Sequence, residues 1–235
     1  MNHRYLLALF LAASQLANAQ FAKIIDKDGY VNVRKQATVN SAIVSKIAAD
    51  EIVYVFPDQK LGDWVSIDYI NSQNKSVTGY VHNTRIKFIE YYKHIPNIFF
   101  DESRATFRSN DMIVEIRSDK FDYEKNKSYF SSTKYEDYTV LDKFKGQKLW
   151  GTDGGIPSSH YLSIKAKIKG RTVLVPEQQI ENLFNVNNEF AACYYDDRND
   201  ILYITSVNSD GAGGYAVLFT IEKGNYKGRV VTMPF

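Results

Sequence analysis

The sequence predicts an all-β protein, mainly β with one short helix, built as a small barrel followed by an antiparallel β-rich region. Three observations carry this expectation. Tyr (17) and Phe (14) are plentiful while Pro (5) is scarce, a balance that suits pleated, half-buried surfaces. The stretch from Gln20 to Glu90 is a series of short alternating apolar runs broken by turn residues. The last third holds four apolar runs joined by D-D-R-N-D, N-S-D-G-A-G-G and K-G-N, the pattern of an antiparallel meander. No repeat of about 20 to 50 residues marks a propeller or solenoid.

Composition narrows the function classes. The 235 residues carry 29 Lys+Arg against 27 Asp+Glu, a net charge of +2. Nucleic-acid binders show a concentrated basic excess, so no nucleic-acid partner is expected. The single cysteine excludes an intrachain disulfide framework and a multi-cysteine zinc site, and four histidines leave little material for a histidine cluster. No metal and no cofactor are expected.

The N-terminus reads as an export signal. Arg4 supplies a positive start, Tyr5 to Ala13 is a nearly unbroken apolar run, and Ala17-Asn18-Ala19 is a small-x-small cleavage site. Cleavage would leave Gln20 first. The run is shorter than the roughly 20 apolar residues that span a bilayer, and no cysteine follows it for a lipid anchor. The expected organisation is a signal peptide over 1–19, a barrel over 20–90 and a β-rich domain over 91–235, with no membrane anchor.

Within 20–90, the run Ala22 to Ile25 leads into Asp26-Lys27-Asp28-Gly29, a tight turn in which Gly29 can take positive φ. Five strand-like runs follow: Tyr30 to Arg34, Ile43 to Ile47, Glu51 to Phe56, Asp63 to Tyr69 and Val77 to His82. Ile52, Tyr54 and Phe56 share one face of the third. Five short strands in about 70 residues suggest a small barrel.

The order D-x-D-G-Y-V-N-V-R, S-A-I-V-S-K-I, a Tyr-Val strand, G-D-W-V-S-I and G-Y-V-H-x-x-R-I, from Lys23 to Ile89, resembles the bacterial SH3-like domain family. The resemblance implies a small β-barrel that serves as a binding and targeting module in exported bacterial proteins, hence a periplasmic or secreted location. Asn32 and Arg34 match its N-V-R, Trp64 the aromatic of its fourth strand, and Gly79, Tyr80 and Val81 its closing G-Y-V. The polar hairpin Asn71 to Ser76 is longer than the compact family form. Tyr30, Trp64 and Tyr80 are amphipathic aromatics of the kind that line shallow peptide grooves. Arg34 and His82 suit a carboxylate. The expected ligand groove is therefore Tyr30, Asn32, Arg34, Trp64, Tyr80 and His82. The structural alternative has Arg34 bracing the Asp28 turn through an ion pair and Trp64 capping the barrel.

The join Tyr91 to Pro96 is aromatic, not Gly/Ser-rich, so the two parts should touch, with His94 packed there and not a metal ligand. Beyond it, Met112, Val114 and Ile116 alternate along a strand, and Glu124 to Tyr138 reads as a loop or an edge hairpin. Leu162 to Lys169 turns at Lys169-Gly170-Arg171 and returns along Thr172 to Val175, a hairpin. Pro176 to Phe184 reads as the short helix, with Pro176 at its first position and Ile180, Leu183 and Phe184 on one face. The meander strands are Phe190 to Tyr195, Ile201 to Val207, Tyr215 to Glu222 and Tyr226 to Met233. Cys193 sits in F-A-A-C-Y-Y, a core-like strand, so a buried thiol is expected.

Two glycine-rich loops stand out: Gly151 to Pro157 and Asn208 to Tyr215. Each joins an acid to glycines, the composition of an anion-binding nest, yet neither contains G-K-[ST]. Asp153, Gly154, Ser209, Asp210 and Tyr215 are the residues that would face a partner there; a purely structural turn is the alternative. No catalytic residues are expected. A Cys-His peptidase needs a reactive thiolate at a helix N-terminus, and Cys193 lies mid-strand. The expected function is thus a non-catalytic envelope binding protein for peptidoglycan peptide or an envelope protein. An immunity or inhibitor protein against a wall-targeting toxin is the alternative, and a wall hydrolase the third.

Overall fold

The computed structural model describes residues 20–71, 73 and 75–234. The expected signal peptide, residues 1–19, lies outside them, as do two positions of the 71–76 hairpin. The protein is all-β, and among the described residues every pairing between strands is antiparallel.

The N-terminal sheet comprises β1 (Phe21–Ile24), β2 (Tyr30–Arg34), β3 (Ile43–Ala48), β4 (Ile52–Leu61), β5 (Trp64–Ile70), β6 (Ser76–His82) and β7 (Ile86–Phe88). Their order is β3-β2-β6-β5-β4-β1-β7. All seven strands send side chains into one cluster, from Ala22 and Ile24 through Val33, Ile47, Val55, Ile67 and Val81 to Ile86. The sheet therefore curls around a single core. The β1–β2 turn is as expected: Asp28 N donates to Asp26 Oδ1 at 2.9 Å and Gly29 has φ +79.

The rest of the chain adds β8 (Lys93–Ile95), β9 (Asn97–Phe100), β10 (Arg104–Ser109), β11 (Met112–Lys120), α1 (Tyr123–Asn126), β12 (Phe130–Lys134), β13 (Thr139–Phe144), β14 (Gln147–Lys148), β15 (Ser159–Ile168), β16 (Arg171–Leu174), β17 (Ala191–Asp196), β18 (Ile201–Asn208), β19 (Tyr215–Glu222) and β20 (Asn225–Thr232). The four-strand meander appears in the order β20-β19-β18-β17, with β8 added at its edge. A second sheet runs β16-β15-β11-β10-β9, and β12-β13-β14 form a small third one.

The meander is the middle layer. Leu202, Ile204, Val217 and Phe219 face the second sheet, meeting Val114, Ile116, Ile164 and Ala166 in the largest core. Their neighbours Tyr203, Ala216 and Leu218 face the other way, into a cluster with Phe21, Tyr54 and Ile89 of the N-terminal part. Burial on both faces explains why β18 and β19 read as nearly continuous apolar runs, whereas β11 and β15 alternate with charged residues over a solvated face. Tyr92 follows the same seam, its ring 5.4 Å from that of Tyr203. The aromatic join is thus a packed joint, and burying side chains such as Phe21 and Leu218 contributes roughly 1.5–3 kcal/mol each.

Two local expectations are corrected, the 176–184 helix and the packing of His94. The helix expected over 176–184 is only a 3₁₀ turn, Glu177–Gln179. Beyond it Leu183 and Phe184 bridge to Trp150 and His160, and Arg229 Nη2 holds Asn182 Oδ1 at 2.8 Å; these tertiary bonds outweigh a weak helical preference. The helix that forms, α1, is capped by Asp122, whose side chain accepts from Lys125 N. Glu124 to Tyr138, expected as a loop or an edge hairpin, does supply the edge arm of the β12–β13 hairpin, after most of that helix. His94 lies on β8 and is exposed, its ring 5.6 Å from that of Tyr194. Cys193 is fully buried, and burial pushes its thiol pKa well up.

Candidate functional site

The outer face of the curled sheet gathers the expected groove residues. Alternation along β2 turns Val31 and Val33 inward and leaves Tyr30, Asn32 and Arg34 outward. On β6, Val81 is inside while Tyr80 and His82 are outside. The register sets Trp64 directly opposite His82, Ser66 opposite Tyr80, and Arg34 opposite Tyr80. Tyr30, Asn32, Arg34, Trp64 and His82 line one cleft of about 600 Å³, together with Asp26, Asp28 and Arg85. Tyr80 stands on the same face in register with Arg34 but does not line the cleft.

Close passage of β2 over β6 makes this face possible. A Cβ on Gly79 would lie 2.6 Å from Val33 Cγ1 and 2.8 Å from the Arg34 carbonyl oxygen. Only glycine leaves room for the two backbones here.

Each cleft group has a defined state. Arg34 Nη1 donates to the Ser41 carbonyl oxygen at 2.7 Å, tying down the 35–42 loop whose Ala37, Thr38 and Val39 form a wall of the cleft. The ion pair expected between Arg34 and Asp28 is absent among the described residues; the turn is held by Arg85 and Asp26, 2.8 Å apart. Arg34 thus keeps a charge with no carboxylate partner. His82 Nδ1 accepts from Thr84 N at 3.4 Å and lies 2.8 Å from Thr84 Oγ1, so Nδ1 is engaged locally and Nε2 is the ring nitrogen left to meet a ligand. Trp64 meets His82 edge to face, centroids 5.4 Å apart, and Lys46 Nζ caps the Tyr30 ring at 4.3 Å. Asn32 Oδ1 is buried with no hydrogen-bond donor among the described residues. An orphaned buried acceptor costs about 1–3 kcal/mol, recoverable when a ligand supplies an N–H.

The two glycine-rich loops have a different character. Ser209 Oγ and Asn185 Nδ2 both donate to the Gly151 carbonyl oxygen, and Gly213 lies against the backbone of Gly151 and Asp153. The loops are stapled to each other. Tyr215 does not face a partner: it is fully buried and its hydroxyl donates to the Phe184 carbonyl oxygen at 3.0 Å. Gly154 packs on Val140, and its carbonyl oxygen accepts from Leu141 N at 2.9 Å. Ser209 is spent on the staple. Only Asp153 and Asp210 project as exposed acids.

Sequence reasoning missed Asp26, Arg85 and the 35–42 loop as cleft walls. The R in G-Y-V-H-x-x-R was visible as a landmark, but its pairing with Asp26 spans 59 positions and depends on β7 closing beside β1. Among the described residues no cluster of His, Cys, Asp and Glu is arranged to hold a metal ion, and no helix is long and apolar enough to cross a membrane. No family model, no curated protein and no solved structure matches the chain.

Proposed function

We propose that the protein is an exported, non-catalytic binding protein of the bacterial envelope, and that its N-terminal sheet is an SH3-like module holding a peptide in the Trp64 cleft. The observation that carries this reading is the cleft's mix of groups: two aromatic rings, a guanidinium with no carboxylate partner among the described residues, an imidazole and an orphaned amide oxygen. A peptide offers partners for all of them. Its carboxylate suits Arg34, its backbone N–H suits Asn32 Oδ1, and its apolar stem suits Trp64 and Tyr30. A wall-derived peptide has both carboxylates and amides.

Thiol chemistry is disfavoured by Cys193, a fully buried thiol whose pKa is raised by burial and which is therefore poor material for a nucleophile. The test is calorimetric titration of the protein with a soluble wall peptide and with the same peptide amidated at its carboxylates. Binding of the first and a clear loss with the second are expected; equal binding, or none, counts against the reading.

The inhibitor alternative draws on one observation, the stapled loop pair that presents Asp153 and Asp210 rigidly. It requires that a wall hydrolase lose activity on adding the protein, and that Asp210→Ala relieve the loss.

A further inference from the structure

We propose a second binding site, for the primary ammonium group of a linear aliphatic amine, in the cleft lined by Phe100, Asp101, Asp119, Asn188 and Glu189. This cleft of about 580 Å³ lies outside the curled sheet, between the β9–β10 turn and the 188–190 turn that precedes β17, and stands independently of the Trp64 cleft.

The first observation is Asn188. It is 4% exposed and lines the cleft. Its Nδ2 donates to the Asp101 carbonyl oxygen at 3.0 Å and to Ser118 Oγ at 2.8 Å. Ser118 Oγ in turn donates to the Glu102 carbonyl oxygen at 2.9 Å, so it must accept from Asn188. Both amide hydrogens are used and the amide cannot be flipped, because two carbonyl oxygens would then lack a donor between them. Oδ1 is left buried with no donor among the described residues. It accepts from a donor, N–H or O–H, and cannot take another acceptor; the charge of the cleft makes the choice between them.

The second observation is charge. Asp101, Glu102, Asp119 and Glu189 line the cleft against Lys120 alone, and none of these five forms an ion pair among the described residues. Asp101 accepts Ser103 Oγ, Ser103 N and Arg104 N all on Oδ1. Those bonds, the Ser103 hydroxyl foremost, hold its pKa below the usual carboxylate range and leave Oδ2 without a hydrogen bond among the described residues. The carboxylates are too dispersed to form a metal cluster. An ammonium, with three N–H donors on an aliphatic stem, fits dispersed carboxylates beside a buried acceptor better than a bare metal ion does. Phe100, half exposed, offers a ring for the cation or its stem. The volume is that of a small-ligand site.

The amine can be a free diamine or a lysine side chain, and the experiment separates them. The purified protein, labelled with ¹⁵N, is titrated with 1,5-diaminopentane, with a blocked lysine (acetylated and amidated) and with 1-pentanol as the uncharged control. The expected result is saturable shifts at the Asn188 side-chain amide and the Glu189 backbone with an amine and not with pentanol. The double variant Asp119→Asn, Glu189→Gln, both at exposed positions, should keep its melting temperature and bind at least about tenfold more weakly. Saturation by both amines assigns the ammonium alone as the ligand, and saturation by one assigns that source. No saturable shift with either amine, shifts matched by pentanol, or undiminished affinity in the double variant would overturn the proposal.

Discussion

Trp64 and His82 stand directly opposite each other across the β5–β6 ladder, ring centroids 5.4 Å apart and planes crossing at 82°. The pair fixes the aromatic floor of the cleft without filling the core, since both rings are only partly buried. Anchor residues of this kind carry a disproportionate share of binding energy. Trp64→Ala is expected to weaken peptide binding by about 1–3 kcal/mol while moving the unfolding midpoint far less than a core truncation does. A large loss of stability with unaltered binding would make Trp64 a structural cap instead.

Gly79→Ala should destabilise the protein by about 1–3 kcal/mol. The added methyl meets the Val33 side chain and the Arg34 carbonyl oxygen, and backbone cannot yield as a flexible side chain can. Because Arg34 and Tyr80 are in register beside it, the same change should also weaken ligand binding. Chemical denaturation of the variant beside the parent reads the first effect, and titration the second.

The shared cluster at the seam should make the two parts of the protein unfold together. Leu218 is completely buried and packs in one cluster with Phe21 and Tyr54 from the N-terminal sheet. Leu218→Ala should cost about 2–5 kcal/mol. Calorimetry of the parent should show a single transition. Two well-separated transitions in the parent, or a cost near zero in the variant, would mean the seam contributes little.

Alkaline pH should unfold the protein through its buried tyrosines. Burial pushes Tyr92 and Tyr161 up to about 12, against about 10 for a free phenol. Between those values the folded state retains protons that the unfolded state gives up, so folded stability falls as pH rises. Below about pH 10 these groups contribute no slope. Urea midpoints followed alongside phenolate absorbance should drop together over that window, and a flat midpoint across it would contradict the assignment.

Where burial is one-sided or two-sided along a regular strand, the sequence was legible. Met112, Val114 and Ile116 alternate over solvent, and Tyr215 to Glu222 runs apolar between two layers. The outward face of β2 was readable in the same way, so Tyr30, Asn32 and Arg34 could be placed together. Edge strands were not. β8 and β9 are short, and Ile98, Phe99 and Phe100 are all exposed, so no periodicity marks them. The 176–184 segment followed helix rules locally and was overruled by Arg229 and Trp150, contacts that arise only in the assembled fold. Tyr215, at the end of a glycine-rich loop and the start of a strand, read as a residue that could face a partner; its ring turns inward, where Gly151 leaves space beside Phe184.

Co-sedimentation of residues 20–235 with purified peptidoglycan sacculi, beside the Trp64→Ala variant, tests the central reading most directly. Wall peptide held in the Trp64 cleft requires the parent to pellet with sacculi and the variant to remain largely in the supernatant. A parent that stays in solution, or a variant that pellets equally, would contradict wall recognition through this cleft.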